Sequence, residues 1–545
     1  VFKMRKLTKG ISLLLCAAFV FMLAACVNPT PAPETTQTTS APAGTDATEP
    51  AANPITGLKE KITITVLTQK EATELEPFEN MEVFKIMEER TNIAVKFDQP
   101  AKTNFAERYS IVMASKELPD VITVMPIGDV PKYASAKTII EMTDIIDKEM
   151  PNLSRYMAEF PDIKAGIRGL DGKIYSIPTK VYDYTEWNNP IIVRGDWLEK
   201  LKIDMPKNID DVYNMWMAIK NGDPNGNKEK DEIPYTARDA KERIRSFLTA
   251  FGVKDGFYND PATNKIKFGV LEPGYKQGIE WLRKCHDDGL IDPDLPSASE
   301  ATLQAKVAQD IAGSWRGGMR GNFATYQSTF EDKIPGFKVV GVPTIESVNG
   351  KHLHHARPKN MEGTRTVITT ASKYPTEIAR WMDYAFSDEG NILFNFGIEN
   401  ETFVMKDGKP VFSDAIANDP EGRSPFIMQT TFSPISGVGF PCVYYSEAVN
   451  QLENQEVVAV RNAMDKYRQD TLDFVLPDLP FTNEDNAQIR SIMGEVNTYV
   501  DETLASFIFG GESFSKWDEF VANVKKMDVE KLIDVYQKAY DNYKK

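Results

Sequence analysis
Between residues 62 and 124, short β-rich runs alternate with stretches whose apolar residues recur at helical spacing. No other feature restricts the fold as much. Ile62-Thr63-Ile64-Thr65-Val66-Leu67, Ile93-Ala94-Val95-Lys96-Phe97 and Val121-Ile122-Thr123-Val124 have the composition of strands. Between them Phe78, Met81, Val83, Phe84 and Met87, then Phe105, Tyr109, Val112 and Met113, lie close to the helical repeat. This order implies βαβ units, an α/β fold with a parallel sheet, and ligands at the sheet's carboxyl edge. From about Trp281 onward helical stripes dominate, as in Trp517, Phe520, Val521 and Val524, then Val529, Leu532, Val535, Tyr536, Ala539 and Tyr540. Such stripes face a core by default.

The N-terminus carries an address. Lys3, Arg5, Lys6 and Lys9 precede an uncharged run over residues 11–25, which has secretory proportions and is too short for a stable span. It ends in Leu23-Ala24-Ala25-Cys26, which resembles the bacterial lipoprotein box, where the Cys receives a lipid and becomes the mature N-terminus. Residues 27–57 hold six Pro, eight Thr and six Ala, with Val27 and Ile55 as the large apolar side chains. Such a segment buries too little to offset its ordering entropy and reads as a tether, about 90 Å long if fully extended.

With 79 acidic against 63 basic side chains the net charge is −16, and a nucleic-acid partner is not expected. Removing residues 1–25 leaves 59 basic against 79 acidic, a net −20. Four Cys and four His exclude a disulfide scaffold or a Cys-rich zinc protein. Cys285 and Cys442 could pair or could be buried free thiols.

Four segments carry a family resemblance. They are Met113-Ala114-Ser115-Lys116-Glu117-Leu118-Pro119-Asp120-Val121-Ile122; Gly172-Lys173-Ile174-Tyr175-Ser176-Ile177-Pro178 with Val193-Arg194-Gly195-Asp196-Trp197-Leu198; Phe386-Ser387-Asp388-Glu389-Gly390 with Asn395-Phe396-Gly397-Ile398-Glu399; and Ser515-Lys516-Trp517-Asp518-Glu519-Phe520 through Tyr536-Gln537-Lys538-Ala539-Tyr540. Together the chain resembles extracellular solute-binding protein family 1, the lipoprotein type that accompanies carbohydrate ABC importers. The resemblance implies a two-lobed, type II periplasmic-binding-protein clamshell with a helix-rich C-terminal region. Solute would close the lobes, and the closed form would dock on an ABC permease. It further implies a monomer held by its lipid on the extracellular face of a bacterial cell membrane of the Gram-positive type, with no catalytic residues. The expected division is residues 1–25 as signal peptide, 26–57 as lipidated Cys26 and tether, 58–178 with 344–395 as one lobe, and 179–343 with 396–545 as the other. The first crossing falls near 176–182 and the return near 341–343.

Asp223-Pro224-Asn225-Gly226-Asn227-Lys228-Glu229-Lys230-Asp231-Glu232 places oxygen donors at alternate positions, with Glu229 offering a carbonyl. Lys228 stands where an EF-hand-like loop has Gly, and Pro234 where it has a bidentate Glu, a role Glu232 could take. The spacing fits a solvated Asn/Asp/Gly turn as well as a cation loop. The resemblance implies structural Ca²⁺ held by Asp223, Asn225, Asn227, Glu229, Asp231 and Glu232.

Sugars are held by flat aromatic faces and polar side chains. Tyr182, Tyr184 and Trp187 follow the expected crossing strand, Trp315 stands in a Gly-rich turn, and Gln69 and Asp129 follow the first and third strands, with Tyr444 a further candidate. These seven are the expected contacts of an oligosaccharide or other sugar, while Arg316, Arg320, Arg357 and Arg365 could build a basic pocket for an acidic one. Trp197, Trp281, Trp381 and Trp517 are read as packing, and Arg194 and Asp196 as a local pair. His352, His354 and His355 read as part of an exposed basic loop. No G-x-S-x-G, P-loop or H-E-x-x-H occurs. A peptide receptor of an ABC importer, or a lipid-anchored glycan hydrolase or adhesin, is the alternative.

Overall fold
The computed structural model describes residues 51–544 apart from 116, 188, 239, 362, 422 and 435–438. Residues 1–50, and with them the signal segment, Cys26 and most of the tether, lie outside the described residues. The strands in chain order are β1 (Ile62–Leu67), β2 (Ile93–Asp98), β3 (Val121–Pro126), β4 (Ile177–Pro178), β5 (Lys180–Glu186), β6 (Ile191–Arg194), β7 (Phe257–Asp260) and β8 (Lys265–Phe268). There follow β9 (Ser314–Arg316), β10 (Val339–Val342), β11 (Lys359–Met361), β12 (Thr364–Ile368), β13 (Phe403–Lys406), β14 (Lys409–Phe412) and β15 (Cys442–Tyr444).

The first sheet has the order β2-β1-β3-β12-β4. Its first three strands are parallel, as the alternation of the sequence predicts. β12 departs from that expectation, running antiparallel to both β3 and β4. It reaches the sheet after an excursion of some two hundred residues and enters at the carboxyl end of β3, so no crossover helix is needed. The strand period of two sends Ile64, Val66 and Val121 to one face, against Phe84 and Met87 of the helix Glu82–Thr91. Leu67, Ile122 and Val124 go to the other, against Phe105, Tyr109 and Val112 of the helix Lys102–Ala114. Both faces are covered, which suits a sheet with parallel strands. The expected tether ends earlier than 57: Thr56 is fully buried and donates to the carbonyl of Thr91 at 2.7 Å.

A second sheet, β10-β6-β9, is antiparallel throughout. Its core gathers Trp197, Trp216, Tyr235, Phe247, Tyr275 and Trp517. Trp281 packs against this cluster and Trp381 lies in the first core, so the four packing tryptophans stand as expected. The helix Asn483–Phe509 belongs to the second core through Val496, Val500, Leu504, Phe507 and Ile508. It begins at a capping box, in which Thr482 accepts from the Asp485 amide at 3.0 Å and Asp485 from the Thr482 amide at 3.2 Å.

A third sheet joins the two bodies. β5 lies between β11, antiparallel, and β15, parallel. Val181, Tyr182, Val443 and Tyr444 belong to the first core, whereas Trp187, one residue past β5, belongs to a cluster with Trp315, Phe323 and Val460. Residues 341–342, expected at the return crossing, instead lie inside the second sheet, and the strand that pairs with β5 on the way back is β11. Phe396, Phe412, Phe440 and Val449 pack in the first core, while Ile345 and Leu353 pack in the second. Residues 396–452 therefore go with the first body and 344–353 with the second. Cys285 and Cys442 are free and buried, each in a different core.

Trp216 is fully buried and donates its Nε1–H to Ser314 Oγ at 2.9 Å. Trp216→Ala should lower stability by about 3–5 kcal/mol in urea unfolding, since it opens a large cavity and removes one of the two hydrogen bonds of the Ser314 hydroxyl, the other running to the Pro234 carbonyl at 2.6 Å.

Candidate functional site
A cleft of about 730 Å³ lies at the carboxyl edge of the first sheet. One wall comes from the first body: Ile127, Gly128 and Val130 directly after β3, Arg168 to Asp171 after the helix Pro161–Ile167, then Tyr175, Ser176 and Arg365. The opposite wall is Pro477 to Asn483 with Asn486 and Tyr536, from the loop before the helix Asn483–Phe509 and from the C-terminal helices of the second body. Two prolines fix the backbone torsion of that segment, so its surface is held before a ligand arrives.

The aromatic groups in the cleft are anchored from behind. Tyr175 donates to Asp171 Oδ2 at 2.7 Å, across a turn in which the Lys173 amide bonds to Asp171 Oδ1 at 3.0 Å and Gly172 takes φ +81°. Tyr536 stacks on Phe257 with centroids 4.1 Å apart and meets Phe481 edge-on at 4.9 Å. Arg365 is buried and donates to the Gly166 carbonyl at 3.0 Å. Burial lowers its pKa to about 10, partly offset by the charge of Asp478 across the cleft, so it is still a cation at neutral pH. Behind the cleft Asp162 accepts from Tyr543 at 3.1 Å and from Arg357 at 3.2 Å, tying the two walls together.

The seven side chains read from the sequence as sugar contacts are dispersed. Asp129 sits between the lining residues Gly128 and Val130 and accepts from Tyr109 at 2.8 Å. Gln69 is at the end of β1, donating to Glu71 at 2.7 Å. Near it Glu74 is pushed up to about 7 by burial, reinforced by the Glu71 charge. Tyr182 packs between Tyr184 and Tyr444, each centroid 5.6 Å away, along the connecting sheet. Trp187 is buried, donates to Asp465 at 2.6 Å and meets His354 edge-on. Trp315 is buried against Tyr326, with its Nε1–H on the Asn322 carbonyl at 3.3 Å.

Of the four arginines considered for an acidic ligand, Arg365 alone lines the cleft; Arg357 is held by Asp162 and two carbonyls, Arg316 is buried elsewhere, and the Arg320 side chain is outside the described ones. Sequence reasoning missed Arg168, Tyr175, Asp478, Phe481, Asn486 and Tyr536. One signal was present: Pro477-Asp478-Leu479-Pro480-Phe481 is a stiff, partly apolar loop directly before a capped helix. Arg194 pairs with Asp196 at 2.7 Å, as read from sequence. The exposed histidine loop is corrected: His354 is buried, His355 has both ring nitrogens out of solvent, and His352 stacks on Tyr467 at 3.6 Å. Its neighbours Leu353 and Ile345 pull the segment into the second core.

The Asp223–Glu232 stretch winds tightly. Asn225 Oδ1 accepts from the Asn227 amide at 3.2 Å, Asn227 Oδ1 from Glu229 at 2.7 Å, and Asp223 Oδ2 from Lys228 at 3.2 Å. Lys228 adopts φ +68°, the left-handed backbone usually left to Gly at that position. Asn225 and Asn227 both donate to Asp231, at 3.3 and 3.0 Å. Glu232 is 8% exposed with neither carboxylate oxygen bonded, and burial raises its pKa, with the charges of Asp231 and Asp223 adding to the effect. Among the described residues no three His, Cys, Asp or Glu side chains are gathered as a metal-ion ligand set. The buried, unbonded Glu232 beside two further carboxylates is nevertheless the donor set a hard cation would satisfy.

Residues 66–392 match the family of bacterial extracellular solute-binding proteins. The chain is 26% identical over 512 residues to the fructooligosaccharide ABC transporter substrate-binding protein FusA of Streptococcus pneumoniae serotype 4, covering 89% of this chain and 91% of that one. It superposes on the crystal structure of the alginate-binding protein AlgQ2 without calcium ion with a TM-score of 0.69, at 22% identity over 90% of this chain and 99% of AlgQ2. For an EF-hand mutant of FusA in complex with fructo-nystose the TM-score is 0.68, at 22% identity, covering 89% and 99%. The two bodies joined by three strands are thus the clamshell of type II binding proteins, and this chain belongs to the bacterial extracellular solute-binding protein family.

Proposed function
We propose that this protein is a lipid-anchored receptor that captures an oligosaccharide between its two bodies and delivers it, without chemical change, to an ABC permease. The observation that carries the reading is the 730 Å³ cleft with one wall from each body. A ligand touching both walls binds the closed arrangement better than an open one, and that difference drives closure. Tyr175, Phe481 and Tyr536 offer flat faces for sugar rings, while Ser176, Thr482, Asn483 and Asn486 offer hydroxyl partners. Arg168 and Arg365 stand opposite Asp478, so the cleft has cationic groups for an acidic sugar without excluding a neutral one. Asp129 and Gln69 lie at the same sheet edge, and we assign them to its rim. The buried Tyr182 and Tyr444 and the half-buried Tyr184, with Trp187 and Trp315, would act by shaping the connection that closes.

Ca²⁺ would be held by Asp223, Asn225, Asn227, Asp231 and Glu232 with the Glu229 carbonyl, and would neutralise carboxylates that repel one another. Its role there is structural. The Leu23-Ala24-Ala25-Cys26 sequence supports lipidation at Cys26 on the outer face of the cell membrane. No helix among the described residues is long and apolar enough to cross a membrane.

Titration calorimetry of the chain against fructooligosaccharides and oligomers of alginate and galacturonate should find one class that binds and is recovered intact. Tyr175→Ala and Tyr536→Ala should each weaken that class at least tenfold, about 1.4 kcal/mol; unchanged affinity in both would remove the cleft from the reading, and a consumed sugar would replace it with a hydrolase. Chelator should lower the melting temperature by several degrees, and Asp231→Ala should abolish that response. Cys26→Ser should move the protein from the membrane to the soluble fraction on centrifugation.

A further inference from the structure
Away from the cleft, where β6 and β9 meet the segment that follows β10, the structure encloses a cavity of about 20 Å³. Arg316, Thr344, His354, His355 and Thr249 face it among apolar neighbours. Arg316 is 5% exposed; its Nη1 donates to the Asn189 carbonyl at 2.9 Å and its guanidinium lies 4.7 Å from the Phe247 ring centroid. Its Nε–H has no hydrogen-bond partner. Neither has the hydroxyl of Thr344, which is 8% exposed, nor either ring nitrogen of His355.

The strongest charges acting at this point are positive. The charged groups that act on His355 are Arg316, Lys254 and Arg243, with His354 beside them. No carboxylate pairs with Arg316 among the described residues. Burial lowers the pKa of Arg316 to about 10, so it stays a cation at neutral pH, while burial, helped by the Arg316 charge, holds His354 at about 3 and therefore neutral. A buried cation with no counter-charge costs several kcal/mol, and three unmet polar groups add to the cost. Water could meet the hydrogen bonds but would leave the charge.

We propose that this cavity binds one small monovalent anion, chloride by its size, between Arg316, Thr344 and His355. The donors match: a guanidinium N–H, a hydroxyl and one N–H of a neutral imidazole all point to an acceptor, and none requires a cation. The volume admits about one water-sized species, which excludes a sugar, a carboxylate-bearing ligand or phosphate. The anion would fasten β9 to the segment running from β10 toward β11, and so would stabilise the second body where it meets the connecting sheet.

The test compares chloride with methanesulfonate, an anion too large for the cavity, at equal ionic strength and without sugar. The melting temperature should rise by about 2 °C for each tenfold increase in chloride above its Kd, and stay flat in methanesulfonate. Thr344→Val should raise the chloride concentration needed by about tenfold, the loss of one hydrogen bond to a charged group. Arg316→Met should remove the chloride dependence. If that variant does not fold, Thr344→Val and crystals grown in bromide decide the matter: an anomalous peak within hydrogen-bond distance of Arg316 Nε supports the site. Equal melting in the two salts, or no anomalous peak in the cavity, would overturn it.

Discussion
The structure depends on the pairing of β5 with a strand on each side. Backbone N–H and C=O groups removed from water must be paired, so β5 cannot slide past β11 and β15 without breaking its ladders together. The same strand leaves the first core at Val181 and Tyr182 and delivers Trp187 to the second body. Side chains tighten it: Asp183 accepts from the amide and hydroxyl of Ser446, at 2.6 and 2.9 Å, at the N-terminus of the helix Ser446–Leu452. Burial pushes that carboxyl up to about 6, and the two hydrogen bonds work against the shift. Near the other end Arg461 pairs with Glu453 while lying over the Tyr184 ring at 4.7 Å. A buried pair of this kind contributes little net stability but makes any other arrangement leave an unpaired charge.

This connection explains why the cleft can be both wide and ordered. Outside the ligand site its walls are linked by three strands and by the Asp162 contacts to Arg357 and Tyr543. Each wall is firm on its own account. Tyr536 rests on Phe257 and Phe481, and Tyr175 is tethered through Asp171. Side chains held in this way lose little entropy when a ligand lies on them.

The Asp223–Glu232 loop and the cavity beside Arg316 share one feature with opposite signs of charge. In the first, the charges of Asp223 and Asp231 act on Glu232, whose carboxylate oxygens are unbonded; in the second, no carboxylate pairs with Arg316 among the described residues. Each belongs to the second body, whose strands β6, β9 and β10 are short and whose core is built largely by loops and helices. In both places a buried charged group keeps polar atoms without a hydrogen bond, Glu232 in the loop and Arg316 Nε in the cavity.

What is local could be read from the residues alone: the parallel β1, β2 and β3 with their helices, the packing role of four tryptophans, the Arg194–Asp196 pair two residues apart, and the turn chemistry of the Asp223–Glu232 loop. Period, spacing and turn chemistry act over a few residues, so they are legible without coordinates. Tertiary structure alone decided the antiparallel entry of β12, the assignment of residues 396–452 to the first body, the burial of His354, and the bringing of Tyr175 to face Phe481 and Tyr536. Those outcomes join residues hundreds of positions apart. They follow from which apolar faces find each other and which backbone edges remain to be paired, and no local pattern encodes either.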